Sequence, residues 1–164
     1  MAMAIRQAFA DYINTGTSVA PTWSLCGTGF TQLDESPNAQ MESKVYIHQK
    51  EASPTITRYE PVFPFETEYW SDDDAIALIY NIARNRLVGE DAQVEYLRTD
   101  LLIDEDGEPI GATVTARKFI VAVEVSDISG EGGEAISVSG NLNQVGAFVD
   151  GVFTISSKSF APAP

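Results

Sequence analysis

Apolar residues recur at helical spacing in one stretch of this chain and at strand spacing in most of the remainder. Ile76, Ile79, Tyr80, Ala83 and Leu87 fall at helical intervals, and Leu78 and Ile82 widen that face. Ser71 stands where an N-cap is expected, and Ser71 with Asp74 has capping-box spacing. Asp72, Asp73 and Asp74 place negative charge at the positive end of the helix dipole, while Arg84 and Arg86 suit the carbonyl end. Gly89 follows where a left-handed terminating residue belongs. The pattern predicts one helix over about residues 71–88.

Elsewhere the period is two. Over residues 55–70, Tyr59, Phe63, Phe65 and Tyr69 share one parity, and Arg58, Glu60, Glu66 and Glu68 share the other. This predicts one strand with a buried face and a wet, acidic face. Pro61 and Pro64 remove ladder donors, which predicts an edge or a bulge. Residues 93–103 and 110–128 flank Asp104-Glu105-Asp106-Gly107, a hairpin signal because Asp-Gly tolerates positive φ. In the second arm Phe119, Val121, Val123 and Val125 oppose Ile120, Ala122 and Glu124. After a Gly130-Glu131-Gly132-Gly133 turn, Ile136, Val138 and Leu142 alternate with Ser137, Ser139 and Asn141. Val149-Asp150-Gly151-Val152 predicts a further tight turn, and Ala161-Pro162-Ala163-Pro164 an extended tail.

The N-terminal third is less regular. Residues 1–14 read as a weakly helical or extended arm, and residues 22–30 as a strand bent at Gly27 and Gly29. Residues 38–54 read as a long irregular loop in which Val45-Tyr46-Ile47 alone suggests a short strand. A loop of that length inside a compact domain is usually functional or ordered by a partner. Taken together, the elements predict a single domain over 1–164 that is mainly β (α+β): a β-sandwich or open barrel with one flanking helix.

Composition narrows the function. A chain of 164 residues buries roughly 70% of the surface its unfolded form exposes and needs no staple. With 24 acidic and 10 scattered basic residues the net charge is −14, which repels nucleic acid. The single cysteine, Cys26, excludes an internal disulfide and suits a reducing compartment. The first dozen residues lack the apolar core of a signal peptide, and no run of about 20 apolar residues predicts a membrane span.

Candidate chemistry is sparse. His48 is the only histidine and has no patterned nucleophile near it. One Cys and one His do not compose a zinc site without carboxylates. A calcium loop built on Asp104-Glu105-Asp106-Gly107 would need a carboxylate ligand about a dozen residues on, where Ala116 provides none. The triple aspartate is accounted for by helix capping, and no Gly-rich phosphate loop precedes the helix. These observations predict a protein that is not an enzyme and that takes no cofactor or metal.

Several weak motifs occur in an order that resembles the major tail tube proteins of long, non-contractile phage tails (the siphophage type). They are Gly29-Phe30-Thr31-Gln32-Leu33-Asp34-Glu35-Ser36-Pro37-Asn38, the strand from Tyr59 to Phe65, and Ser71-Asp72-Asp73-Asp74-Ala75-Ile76. The run from Val123 through Gly130-Glu131-Gly132-Gly133-Glu134-Ala135-Ile136 to Gly146, with Gly151-Val152-Phe153, fits as well. The resemblance implies a virion protein, made in the host cytoplasm, that stacks as hexameric rings into a hollow tube and conducts DNA during ejection. It implies as partners further copies of itself, a tape-measure protein and tail-end proteins, with DNA passing unbound and no membrane contact. It also implies that the 38–54 loop touches the neighbouring ring, with Met41, Lys44, Tyr46, His48 and Lys50 as candidates. The N-terminal arm and the 161–164 tail are further candidates.

Strand parity nominates Glu60, Glu66, Glu68, Ser137, Ser139 and Asn141 for the lumen. An acidic or uncharged lining lets DNA slide, whereas lysines would gain counterion-release affinity at every ring. Two other readings remain at this point. One is a carbohydrate-binding or adhesion module stacking sugar on Trp23, Trp70 or Tyr46, and the other a type VI secretion-like tube.

Overall fold

The computed structural model describes residues 6–100, 106 and 111–163. The strands are β1 (Asp11–Asn14), β2 (Trp23–Leu25), β3 (Phe30–Leu33), β4 (Ala39–Lys44), β5 (Ser53–Tyr59), β6 (Val62–Glu68), β7 (Gln93–Thr99), β8 (Thr113–Ser129), β9 (Ser137–Gln144), β10 (Val149–Thr154) and β11 (Ser159–Pro162). One α-helix, α1 (Asp74–Arg84), separates β6 from β7. Among the described residues the protein is mainly β with one α-helix, as its patterning predicts. Among the described residues no helix is long and apolar enough to cross a membrane.

The antiparallel main sheet runs β2-β1-β7-β8-β9-β6-β3. β8 is its spine: one edge pairs β7, and the other pairs first β10 and then β9. Phe63 on β6 and Tyr96 on β7 lie with ring centroids 5.0 Å apart. Three strand steps on a flat sheet would separate them by about 14 Å, so the sheet curls. The 26–29 segment links its two edge strands, with Cys26 N–H donating to Asp11 and Glu68 N–H donating to Gly29.

Inside the curl lies a core of Ile13, Leu33, Phe63, Phe65, Tyr96, Phe119, Val121, Val138 and Leu142, joined by Ala75, Ile79 and Ile82 of α1. A smaller cluster of Tyr12, Trp23, Leu97, Ala116 and Phe153 occupies the opposite parity.

Local chemistry moved several boundaries. α1 is shorter than the predicted 71–88, and its N-cap is Asp73, whose carboxylate accepts from Ile76 N–H at 3.1 Å, not Ser71. Its end is a Schellman turn: Arg86 at φ 51 is the left-handed residue, with Arg86 N–H donating to Ala83 and Leu87 N–H to Ile82. Gly89 instead opens a short 3-10 turn.

The 55–70 strand is two strands broken at Pro61, so Tyr59 is exposed and does not share the buried face of Phe63 and Phe65. Pro64 accepts from Asp34 N–H, so its missing donor faces the side where β3 has ended and the ladder to β9 is intact. The 22–30 strand is likewise split into β2 and β3.

Asp11–Asn14 of the presumed arm is a buried strand. Val149–Val152 lies within β10, and the turn comes later, around Lys158 at φ 49. Ala161 and Pro162 of the expected tail pair with β10. The predicted Asp104–Gly107 turn lies, Asp106 apart, outside the described residues.

Candidate functional site

The region read as an irregular 38–54 loop is a β-hairpin. Among the described residues β4 and β5 pair only with each other, from Ala39 opposite Tyr59 at the root to Lys44 opposite Ser53 near the tip. Val45-Tyr46-Ile47 is not a strand but the tip of this arm. Nearly every residue of both strands is exposed. The arm nonetheless carries large apolar side chains: Met41, Val45, Tyr46, Ile47, Ile56 and Tyr59 all face solvent, Ile47 completely.

The tip is shaped by its own contacts. Gln49 N–H donates to Tyr46 at 2.9 Å, Gln49 Oε1 accepts from Ser53 Oγ, and the Tyr46 and His48 rings stack. Lys44, His48 and Lys50 flank it.

At the root, Asn38 at φ 49 turns the chain outward, a conformation asparagine tolerates. Ser36 and Val62 exchange backbone hydrogen bonds, and Glu60 N–H donates to Asn38. Glu35, just before this turn, receives two hydrogen bonds from Arg117, at 2.9 and 2.8 Å. That pairing holds the Glu35 carboxyl below its usual range against the opposing effect of burial, and raises Arg117.

Arg117 continues into a charged cluster inside the curled sheet. Arg98 lies 3.9 Å from Glu35 and 3.5 Å from Asp11. Asp11 also takes hydrogen bonds from Tyr96 and Arg6. Burial, reinforced by Asp11, pushes the Tyr96 hydroxyl well up, so it stays a proton donor. Sequence reasoning missed this cluster, although Arg117 shares parity with Phe119 and Val121, and Arg98 with Tyr96. Charges on an otherwise apolar face were the available signal.

Beside the cluster a cleft of about 720 Å³ opens between the arm root and the β9–β10 connection. Buried Phe119 lies at its base, and Tyr59, Pro61, Val62 and Phe148 supply further apolar lining.

The lumen candidates separate into two places. Glu66 lies opposite Ser139, Glu68 opposite Ser137, and Pro64 opposite Asn141, so five of the six share one outer face of β6 and β9. β8 extends that face through Glu124 opposite Asn141 and Asp127 opposite Ser139, the latter rephased by a bulge at Ser126. No Lys or Arg occurs in β3, β6, β9 or residues 119–129 of β8. Glu60 does not belong with them: beyond the Pro61 break it sits in the cleft lining and pairs with Arg58 at 3.0 Å.

Of the aromatics nominated for sugar stacking, Trp23 is buried and unavailable, while Trp70 and Tyr46 are exposed. Cys26 is buried, which pushes its thiol well up. Among the described residues no group of three or more His, Cys, Asp or Glu side chains is placed to hold a metal ion.

No protein-family model and no curated protein matches this sequence. The fold does match solved structures. A chain in the cryo-EM structure of the anti-feeding prophage baseplate, symmetrised six-fold, superposes with a TM-score of 0.53 at 8% identity, over 94% of this chain and 97% of that one.

Proposed function

We propose that this chain is a structural subunit of a phage-tail-type particle. In its finer form the proposal is that copies stack as hexameric rings into a hollow tail tube, a conduit for DNA during ejection. The carrying observation is the β4–β5 arm, which exposes six large apolar side chains and, among the described residues, pairs with no other strand. An isolated two-stranded hairpin is at best marginally stable in water, so such an arm is built to be covered. The end-to-end likeness of the fold to a chain of a six-fold symmetrised baseplate supports an assembled role over a solitary one.

The acidic outer face of β6, β9 and β8 fits the wall of a channel, since like charge keeps DNA from adhering. Tape-measure and tail-end proteins would be the remaining partners, the virion the location, and the role non-enzymatic, without cofactor or metal.

Negative-stain electron microscopy of the purified full chain over a range of concentration and salt tests this. Rings or tubes are expected, favoured by salt that screens a charge of −14. A species that stays monomeric under every condition would overturn the proposal.

A further inference from the structure

We infer that the arm, residues 38–60, swings as one piece about its root and closes on the cleft of its own chain, laying Tyr59 against Phe148. The hinge stands on the geometry of the single chain, and only its consequence for assembly rests on the reading above.

The arm is jointed at its root. Among the described residues no hydrogen bond, ion pair or ring contact joins residues 38–60 to the rest of the chain. Below the joint, Ser36 and Val62 exchange backbone hydrogen bonds, the Pro61 carbonyl accepts from Gln144 N–H at 3.2 Å, and Arg117 holds Glu35. Above it, the Asn38 carbonyl accepts from Glu60 N–H at 3.1 Å and from Gln40 Nε2 at 3.2 Å, and Arg58 pairs with Glu60 at 3.0 Å. Two peptide links lie between, Pro37–Asn38 and Glu60–Pro61.

The residues at the joint suit a hinge. The register runs from Ser36 opposite Val62 to Ala39 opposite Tyr59, which sets Pro37 opposite Pro61. Neither proline has an N–H with which to latch the joint. Asn38 turns the chain at φ 49, and asparagine tolerates this region as well as extended backbone. A few such positions are enough to absorb a rigid-body swing.

The cleft supplies the closed position. Tyr59 lines it from the arm, and Phe148 lines it from the β9–β10 connection. Tyr59 is 57% exposed and meets no other ring among the described residues, while Phe148 is 42% exposed with Phe119 behind it at 5.5 Å. Bringing the two rings together takes apolar area of both out of water. Charge does not resist this, because Arg58–Glu60 and Glu35–Arg117 each lie wholly on one side of the joint.

Open and closed forms therefore differ in aromatic burial and in no hydrogen bond, so both are populated. Five residue steps from Ala39 to Lys44 put the tip about 17 Å beyond the root, so a modest turn carries it several ångströms. If neighbours take only the open arm, closure lowers the fraction of subunits competent to assemble.

Pulsed electron–electron spin resonance on the dilute full chain tests this, with nitroxide labels on the double variant Ile47→Cys/Arg84→Cys. Both sites are exposed, and buried Cys26 takes no label. Two resolved distance populations are expected. Adding Phe148→Ala or, separately, Tyr59→Ser should leave one population with circular dichroism unchanged. Adding Ile120→Ala, an exposed apolar residue outside the cleft lining, should leave two.

A single narrow population before any cleft substitution, or two populations that survive both cleft substitutions, would overturn the inference. In assembled particles diluted with unlabelled chain, one population should remain, and two would show that closure does not regulate assembly. If the labelled chain shows the swing and wild type never associates, the assembly reading falls and the hinge stands.

Discussion

Glu35 and Arg117 form a two-pronged ion pair, with hydrogen bonds of 2.9 and 2.8 Å, between the segment entering the arm and the inner face of β8. Both side chains are about three-quarters covered, at 26% and 22% exposure. Arg117 also lies over the Phe119 and Phe148 rings, at 5.2 and 5.6 Å. The pair therefore joins the direction of the arm to the wall of the cleft. Glu35→Gln keeps the shape and removes the charge, and should cost about 1.5–3 kcal/mol, the range for a hydrogen bond to a charged group. Urea unfolding monitored by tryptophan fluorescence measures it, and an unchanged midpoint would show that the pair does not hold the root.

The same pair sets a pH dependence. Arg117 depresses the Glu35 carboxyl below its ordinary 4.5. A group whose folded pKa is lowered binds protons more readily when unfolded, so its stabilisation is present above the unfolded value and is lost as pH falls through the folded one. The melting temperature of wild type should exceed that of Glu35→Gln by a constant margin from neutrality down to about pH 5. Below that the two curves should converge. A margin that persists into strong acid would assign the effect to packing.

At the helix, Asp73 and Ser71 separate two roles that the sequence merges. Asp73→Ala removes the carboxylate that accepts from Ile76 N–H and should cost about 1 kcal/mol. Ser71→Ala, at an exposed position outside the helix, should change stability by less than about 0.5 kcal/mol. Ile79→Ala, emptying a site 1% exposed in the core, should cost about 2–5 kcal/mol. Equal effects at Ser71 and Asp73 would contradict the observed cap.

How much of this was legible follows from which forces act locally. The parity of Phe63, Phe65, Val138 and Leu142 placed the inward face correctly because burial of one sheet face imposes a period of two. The helix core at Ile76, Ile79 and Ile82 was legible for the same reason at a period of 3.6. Its ends were not, since Ser71, Asp72 and Asp73 are all acceptable caps and Arg86 adopts a conformation normally left to glycine. The arm was hidden because it has no buried face: both β4 and β5 are exposed, so no alternation marks them. The ion cluster joins Asp11, Glu35, Arg98 and Arg117 from four parts of the chain, and only the curl of the sheet brings them together.

Gly140 tests that curl. It sits on β9 opposite Val125, beside the β8 bulge, and a Cβ there would come within 1.9 Å of the Glu124 carbonyl oxygen. The obstacle is backbone, which cannot swing aside as a side chain could. Gly140→Ala should therefore force the β8–β9 ladder apart and cost about 1–3 kcal/mol or more. Gly132→Ala, in the turn with open space around it, is the control and should stay close to wild type. Thermal melts of the two variants compare them, and similar melting temperatures would mean that β8 and β9 do not approach so closely.

The outer face of β6, β9 and β8 allows a charge test of the channel reading. Glu66, Glu68 and Glu124 are exposed, and no Lys or Arg occurs in β6, β9 or residues 119–129 of β8. Replacing all three by lysine changes the net charge from −14 to −8, because each substitution shifts it by two, and concentrates the change on one face. Stability should be little affected, since the side chains are solvated and surface charges contribute weakly. DNA binding should change qualitatively. Wild-type assemblies should show no retention of duplex DNA at low salt, whereas the triple variant should bind it with an affinity that falls steeply as salt rises, through counterion release. If this face lines a channel, binding should protect the DNA within assembled tubes from nuclease. If it faces outward, the bound DNA remains digestible, and the placement of Glu66, Glu68, Ser137, Ser139 and Asn141 in the lumen is refuted.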